Sequence, residues 1–223
     1  MDDDSKKYRL DKTAFEAMTV QEADDYMRDY RKWNWKERLK ISYYLTSLAY
    51  GFDLNHPPKM DKTVFIASNT LMADIFQDDF RDFIRSLNDN KVSYILVGGF
   101  AVILHGYARV TGDMDIWVER TEENYMKLVK AFHQFQMPVF DMTKENFLNH
   151  KEWDVFKFGR KPVAIDIMTK VKGLDFKDCF ALSREFEDGD LKIRTLHLTQ
   201  LLEAKKAAGR FKDLDDIDQL TKE

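Results

Sequence analysis

The chain has 223 residues, 44% hydrophobic and 13% aromatic, with a formal net charge of −4. This is enough apolar material for a core and an appendage, and it excludes a disordered chain. The charge balance gives no global pull toward nucleic acid, and the single cysteine, Cys179, excludes an internal disulfide framework or cysteine-rich zinc site and suits a reducing cytoplasm.

Residues 1–68 read as a separate N-terminal helical module. Met1–Ser5 lacks the basic and apolar regions of a signal peptide, which predicts a cytoplasmic protein. Thr19 followed by Glu22 is a capping-box pattern for a helix through about Arg31, and Asn34 followed by Glu37 opens another through about Tyr50, stopped by Gly51. Leu10–Phe15 is echoed by Met60–Phe65, a pair that reads either as chance capping chemistry or as two extended anchors strapping the module down. His56-Pro57-Pro58 is the expected linker.

Residues 69–223 form the second expected unit. Ile75, Phe76, Phe80, Phe83, Ile84 and Leu87 repeat at helical spacing, predicting a core-facing helix from Leu71 to Leu87. Val92–Val97 reads as the first strand, Phe100–Gly106 as a helix after a glycine turn, Asp113–Glu119 as the next strand, and Glu122–Phe135 as a helix capped by Thr121. A strand near Pro138–Phe140 and a short helix near Lys144–Leu148 follow. Strands at Asp154–Phe158 and Val163–Met168 bracket a hairpin loop, and Asp188-Gly189-Asp190 marks another hairpin between Ser183–Glu187 and Leu191–Thr195. Helices at Leu198–Ala208 and Leu214–Leu220, broken at Gly209, end the chain. The longest apolar stretch, Tyr94–Leu104, contains two glycines and is too short to cross a bilayer, so no membrane association is expected.

The chemistry concentrates in Val97-Gly98-Gly99 and Asp113-Met114-Asp115-Ile116. On a strand, Met114, Ile116 and Val118 alternate with Asp113, Asp115 and Trp117, so both carboxylates leave one face about 7 Å apart. They repel unless a cation lies between them, and hard oxygen donors at this spacing suit Mg²⁺, which keeps part of its shell for water and phosphates. Asp166 is a lone acid in the apolar run Val163–Met168, costly there unless paired or metal-bound. Were its strand beside the first, it would complete a site for one or two divalent ions.

At these residues the chain resembles the DNA polymerase β-like nucleotidyltransferase superfamily: a hydrophobic residue, Gly, Gly or Ser, a spacer, Asp-hydrophobic-Asp, and a third Asp on a later strand. The run Gly98–Asp115 and the tail Lys205–Asp216 are similar to small bacterial nucleotidyltransferases related to abortive-infection and toxin–antitoxin systems. The resemblance covers about residues 92–220. It implies an α/β (α+β) fold with a short mixed sheet and C-terminal helices. It also implies that Asp113 and Asp115 bind Mg²⁺ or Mn²⁺ gripping a nucleoside triphosphate, and that Asp166 shares an ion and helps deprotonate the acceptor hydroxyl. Gly98 and Gly99 would let backbone N–H groups approach phosphates. Many members of the superfamily have Ser where this chain has Gly99, so that side-chain contact is absent here.

Other residues carry two readings each. Arg109 and Thr111 occupy the Arg-x-Thr position of these relatives and either bind triphosphate oxygens or, respectively, pair with a surface acid and cap a turn. Lys205, Lys206, Arg210 and Lys212 gather at the last helix break; Lys205 and Arg210 are the expected triphosphate or base contacts, with Asp213 holding Arg210 and acids 213–216 capping the next helix, against a purely structural match to the helix dipole. His105 reads as a hydrogen-bonded packing residue rather than a base. The resemblance implies transfer of a nucleoside monophosphate to a hydroxyl of RNA or protein, with a cognate partner protein in toxin-like systems. The alternative is a catalytically inactive partner or regulatory protein of the same fold. A third reading makes the N-terminal module a built-in inhibitor that covers the acceptor entrance, against a module that only completes the core.

Overall fold

The structure is a computed structural model describing residues 9–25, 34–50, 52–54, 76–107, 109–160 and 162–222. Strand β3 (Asp113–Val118) lies at the centre of a mixed seven-stranded sheet among the described residues. From one edge to the other run β1 (Phe15–Met18), β4 (Val155–Arg160), β5 (Val163–Met168), β3, β2 (Tyr94–Leu96), β7 (Leu191–Thr195) and β6 (Arg184–Asp188). β3 runs parallel to β5 and antiparallel to β2, β2 runs parallel to β7, and the remaining neighbours are antiparallel. The expected α/β class with a mixed sheet and C-terminal helices is what forms.

Alternation along the strands divides the side chains between two helical layers. Met114, Ile116 and Val118, with Phe156, Phe158, Ile165 and Ile167, join the larger core with residues of α3 (Asp78–Asp89) and α5 (Glu122–Gln134). There Phe83 meets Phe132 edge-on at 5.4 Å. Each such buried aromatic contributes on the order of 1.5–3 kcal/mol. On the opposite face Ile95, Val97 and Trp117 join residues of α4 (Gly98–Leu104), α7 (Phe176–Leu182) and α8 (Leu198–Ala208). Phe176 stands edge-on to Trp117 at 5.2 Å. The face expected to carry the acids beside Trp117 is therefore a covered one.

The N-terminal residues join this core. β1 pairs with β4 in the register Phe15↔Phe158 to Met18↔Val155. Leu10 is buried, and its N–H donates to Asp79 at 2.9 Å. Both capping boxes form: Thr19 with Glu22 at the start of α1 (Val20–Asp25), and Asn34 with Glu37 at the start of α2 (Trp35–Tyr50). Ile41, Tyr44 and Leu45 of α2 pack into the larger core. The expected helix residues 26–31, the stop at Gly51, the linker at 56–58, the echo at 60–65 and the helix start at 71–75 lie outside the described residues.

Several boundaries differ from expectation. No strand forms at Pro138–Phe140; Pro138 cannot donate to a ladder, and Phe140 has a φ of 47° that strands do not use. Residue Gln77 is extended, so α3 begins at Asp78. α4 begins at the glycine pair rather than after it, and α9 (Phe211–Thr221) begins three residues before Leu214 because Arg210 and Asp213 form its capping arrangement. The helix at α6 (Lys144–Asn149) lies where expected. α7 and β1 were not expected. Cys179 is buried on α7, where burial first and then nearby acids push its thiol up to about 11, consistent with an inert packing residue. Among the described residues no helix is long and apolar enough to cross a membrane.

Candidate active site

Adjacent, parallel β3 and β5 set the three aspartates on neighbouring strands. Asp115 and Asp166 are register partners, and Asp113 lies opposite Ala164, whose small side chain leaves space beside it. Since the register is even, Asp113, Asp115 and Asp166 share one face of the sheet. The same face of β4 carries Lys157, register partner of Asp166. Its Nζ lies 2.9 Å from Asp166 Oδ1 and 3.5 Å from Asp113 Oδ2.

Burial sets the electrostatics. Asp166 is 6% exposed, and burial first, then Asp113 and Asp115, push its carboxyl up to about 7 against the opposing pull of Lys157. Asp115 is raised in the same direction by burial and by Asp113. Burial opposes the charge of Lys157, but Asp166, Asp113 and Asp115 outweigh it and hold the ammonium above the ordinary lysine range. The acids thus lack positive charge, and Lys157 supplies only part of it.

The glycines are required by contact. Gly98 has a φ of 65°, and a β-carbon there would lie 1.8 Å from Asp115 Oδ2. The Asp115 carboxylate rests in the space that a side chain would take. A β-carbon on Gly99 would lie 2.5 Å from Thr111 Oγ1, so Thr111 fills the room beside the turn. The missing serine side chain at 99 therefore has a neighbour in its place, with the Thr111 hydroxyl donating weakly to the Asp113 carbonyl at 3.4 Å.

The acids open on a cleft of about 270 Å³ that basic residues of the C-terminal helices and of the loop before β3 also line. Arg109, Lys205, Arg210 and Lys212 line it, together with Gly98, Gly99, Thr111 and the three aspartates. Lys205 is buried and bound to Asp213 at 2.9 Å and to Asp216 at 2.7 Å, while Arg109 binds Asp216 at 2.5 Å. Arg210 binds Asp213, as expected. Burial opposes the charge of Asp213, yet Arg210 and Lys205 hold its carboxyl below the usual range. Acids 213 and 216 thus do more than cap a helix: they tie α8, α9 and the loop before β3 together. Lys212 is held below the ordinary lysine range by burial, then by Arg210, Arg109 and Lys205. Lys206 is exposed. Val20, Ala23 and Leu45 close the cleft from the N-terminal side.

His105 lies outside this set; its Nε2 meets the Leu196 carbonyl at 2.8 Å and its ring stands edge-on to Phe186. Lys157 is the residue that sequence reasoning missed, although its place between Phe156 and Phe158 put it on the acid-facing side of its strand.

The donor set suits a hard divalent cation in kind, and the cradle at Gly98 holds one carboxylate toward it. Among the described residues no three acidic, histidine or cysteine side chains converge into a ready-made cage. The Lys157 ammonium instead lies within ion-pair distance of both Asp113 and Asp166.

No family model matches this sequence, and no curated protein matches it significantly. A solved structure to which it is similar is that of a Thermotoga maritima protein provisionally named a nucleotidyltransferase. The two are 18% identical, the match covers 62% of this chain and 88% of the other, and the TM-score is 0.45. A likeness this distant carries no argument about function.

Proposed function

We propose that this chain is a metal-dependent nucleotidyltransferase of the polymerase β-like kind, moving a nucleoside monophosphate from a nucleoside triphosphate to a hydroxyl of RNA or protein. The observation that carries the reading is the register pairing of Asp115 with Asp166, which sets both on the face that also bears Asp113, beside the Gly98-Gly99 turn. Acidic and basic residues lining one cleft support it: a bound cation would meet the aspartates, and a triphosphate would meet Arg210 and Lys212.

Asp113 and Asp115 would hold Mg²⁺ or Mn²⁺, with Asp166 beside them. The ion would neutralise phosphate charge and orient the α-phosphorus. Arg210 and Lys212 would contact the triphosphate, and Thr111 would border it beside the glycines. Lys205 and Arg109, engaged with Asp213 and Asp216, would position the helices that present those cations. The acceptor oxygen forms a bond to the α-phosphorus as the bond from that phosphorus to the bridging oxygen breaks. Pyrophosphate leaves with the electron pair, and the hydroxyl proton passes to Asp166. A toxin-like role with a cognate partner protein fits the Gly98–Asp115 and Lys205–Asp216 runs.

One observation favours a second reading, a non-catalytic partner protein of the same fold: Lys157 already supplies a cation to the carboxylates. Incubating the purified protein with each labelled triphosphate, Mg²⁺ or Mn²⁺, and a cell extract separates the two. Label transferred to RNA or protein, and lost in folded Asp115→Asn, supports the enzyme. No transfer with any triphosphate favours the partner protein.

A further inference from the structure

Lys157 is 4% exposed, on a strand whose flanking Phe156 and Phe158 fill the opposite core. A lysine buried to that depth needs matching charge, and it finds it in Asp166 and Asp113. The ammonium is a compact point charge with three donors. Its nitrogen lies 2.9 Å from an oxygen of one carboxylate and 3.5 Å from an oxygen of the other, so one cation already serves both groups. A second metal ion bridging them would need those oxygens at about 2.0–2.1 Å and would compete with the ammonium for them.

We propose that Lys157 stands in for one of the two metal ions of a two-ion site, so that this chain binds a single divalent ion on Asp113 and Asp115 while the Lys157 ammonium serves Asp166. The inference rests on the nucleotidyltransferase reading. Lys157 is a positioning residue: its ammonium, 2.9 Å from Asp166 Oδ1, holds that carboxyl group in place without touching the reacting atoms.

The test counts Mn²⁺ bound to the full-length protein by the paramagnetic resonance of free Mn²⁺, in the presence of a mixture of the four α,β-methylene nucleoside triphosphates. One ion per chain is the expected result for the natural protein, and two would overturn the proposal. Lys157→Gln opens the bridging position, so a second ion should bind to the folded variant with its own dissociation constant. A folded variant that still binds one overturns the proposal; if the variant does not fold, the count on the natural protein decides alone. Binding of no ion with any triphosphate overturns the nucleotidyltransferase reading itself, and this inference falls with it.

Discussion

Lys157 and Asp166 face each other across antiparallel β4 and β5, with the ammonium 2.9 Å from the carboxylate and both groups nearly excluded from water. Removing one member of such a pair leaves the other charge uncompensated, whereas removing both removes the conflict. Lys157→Met is expected to lower unfolding stability by about 3–5 kcal/mol. Asp166→Asn should cost less, because Asp113 still faces the lysine at 3.5 Å. The double variant should cost clearly less than the sum of the two. Urea unfolding of the four proteins checks this, and strictly additive losses would show that the two charges do not sense each other.

Gly99 and Thr111 compete for one space. Gly99→Ser is expected to destabilise by about 1–3 kcal/mol through overpacking, since its β-carbon would meet Thr111 Oγ1 at 2.5 Å. Adding Thr111→Ala should recover part of that loss, but not all, because the Thr111 β-carbon would still lie 2.9 Å away. Thermal unfolding of the single and double variants measures the recovery; a double variant no better than Gly99→Ser would place the strain elsewhere.

Asp216 accepts from both Lys205 and Arg109 and is buried. Asp216→Asn should cost about 3–5 kcal/mol of stability, the magnitude typical of a broken buried pair. Hydrogen exchange should then rise together in α9 and in residues 109–112, which this carboxylate joins through Arg109. Exchange confined to α9 would show that Arg109 is held by other contacts.

Asp79 anchors the N-terminal segment through the Arg9 guanidinium and the Leu10 N–H. Burial alone would raise its carboxyl, but these donors outweigh burial and hold it below the ordinary range. A depressed folded-state value means that the anchor is fully present above the unfolded-state value of about 3.9 and is lost as pH falls through the lower, folded one. Protection of the Leu10 amide, corrected for intrinsic exchange, should therefore collapse on acidification before the α5 core opens. In Asp79→Asn it should be weak at neutral pH already. Equal protection in the two proteins at neutral pH would remove Asp79 as the anchor.

How much of this was legible depends on whether the cause is local. Thr19 with Glu22, Asn34 with Glu37, and Thr121 at the start of α5 act within one helical turn, and the sequence displays them directly. The alternation of Asp113 and Asp115 with Met114 and Ile116 fixes a face without reference to any partner strand. Lys157 was hidden because a lysine between two phenylalanines also describes a surface position; only the pairing of β4 with β5 puts it beside Asp166. β1 escaped for the same reason, since four residues with weak alternation become a strand only when β4 offers its edge. The α7 N-cap was local and readable: Asp175 accepts from the Lys177 and Asp178 N–H groups. Pro138–Phe140 misled because its hydrophobic residues suggest a strand, while the backbone turns.

The pairing of β1 with β4 also has a consequence for biosynthesis. During translation β1 has no sheet partner until Val155–Arg160 has left the ribosome, so that border of the sheet is completed late. Val20 and Ala23, just beyond β1, line the cleft. A nascent chain halted before β4 would therefore carry its glycines and first two aspartates with no finished compartment around them.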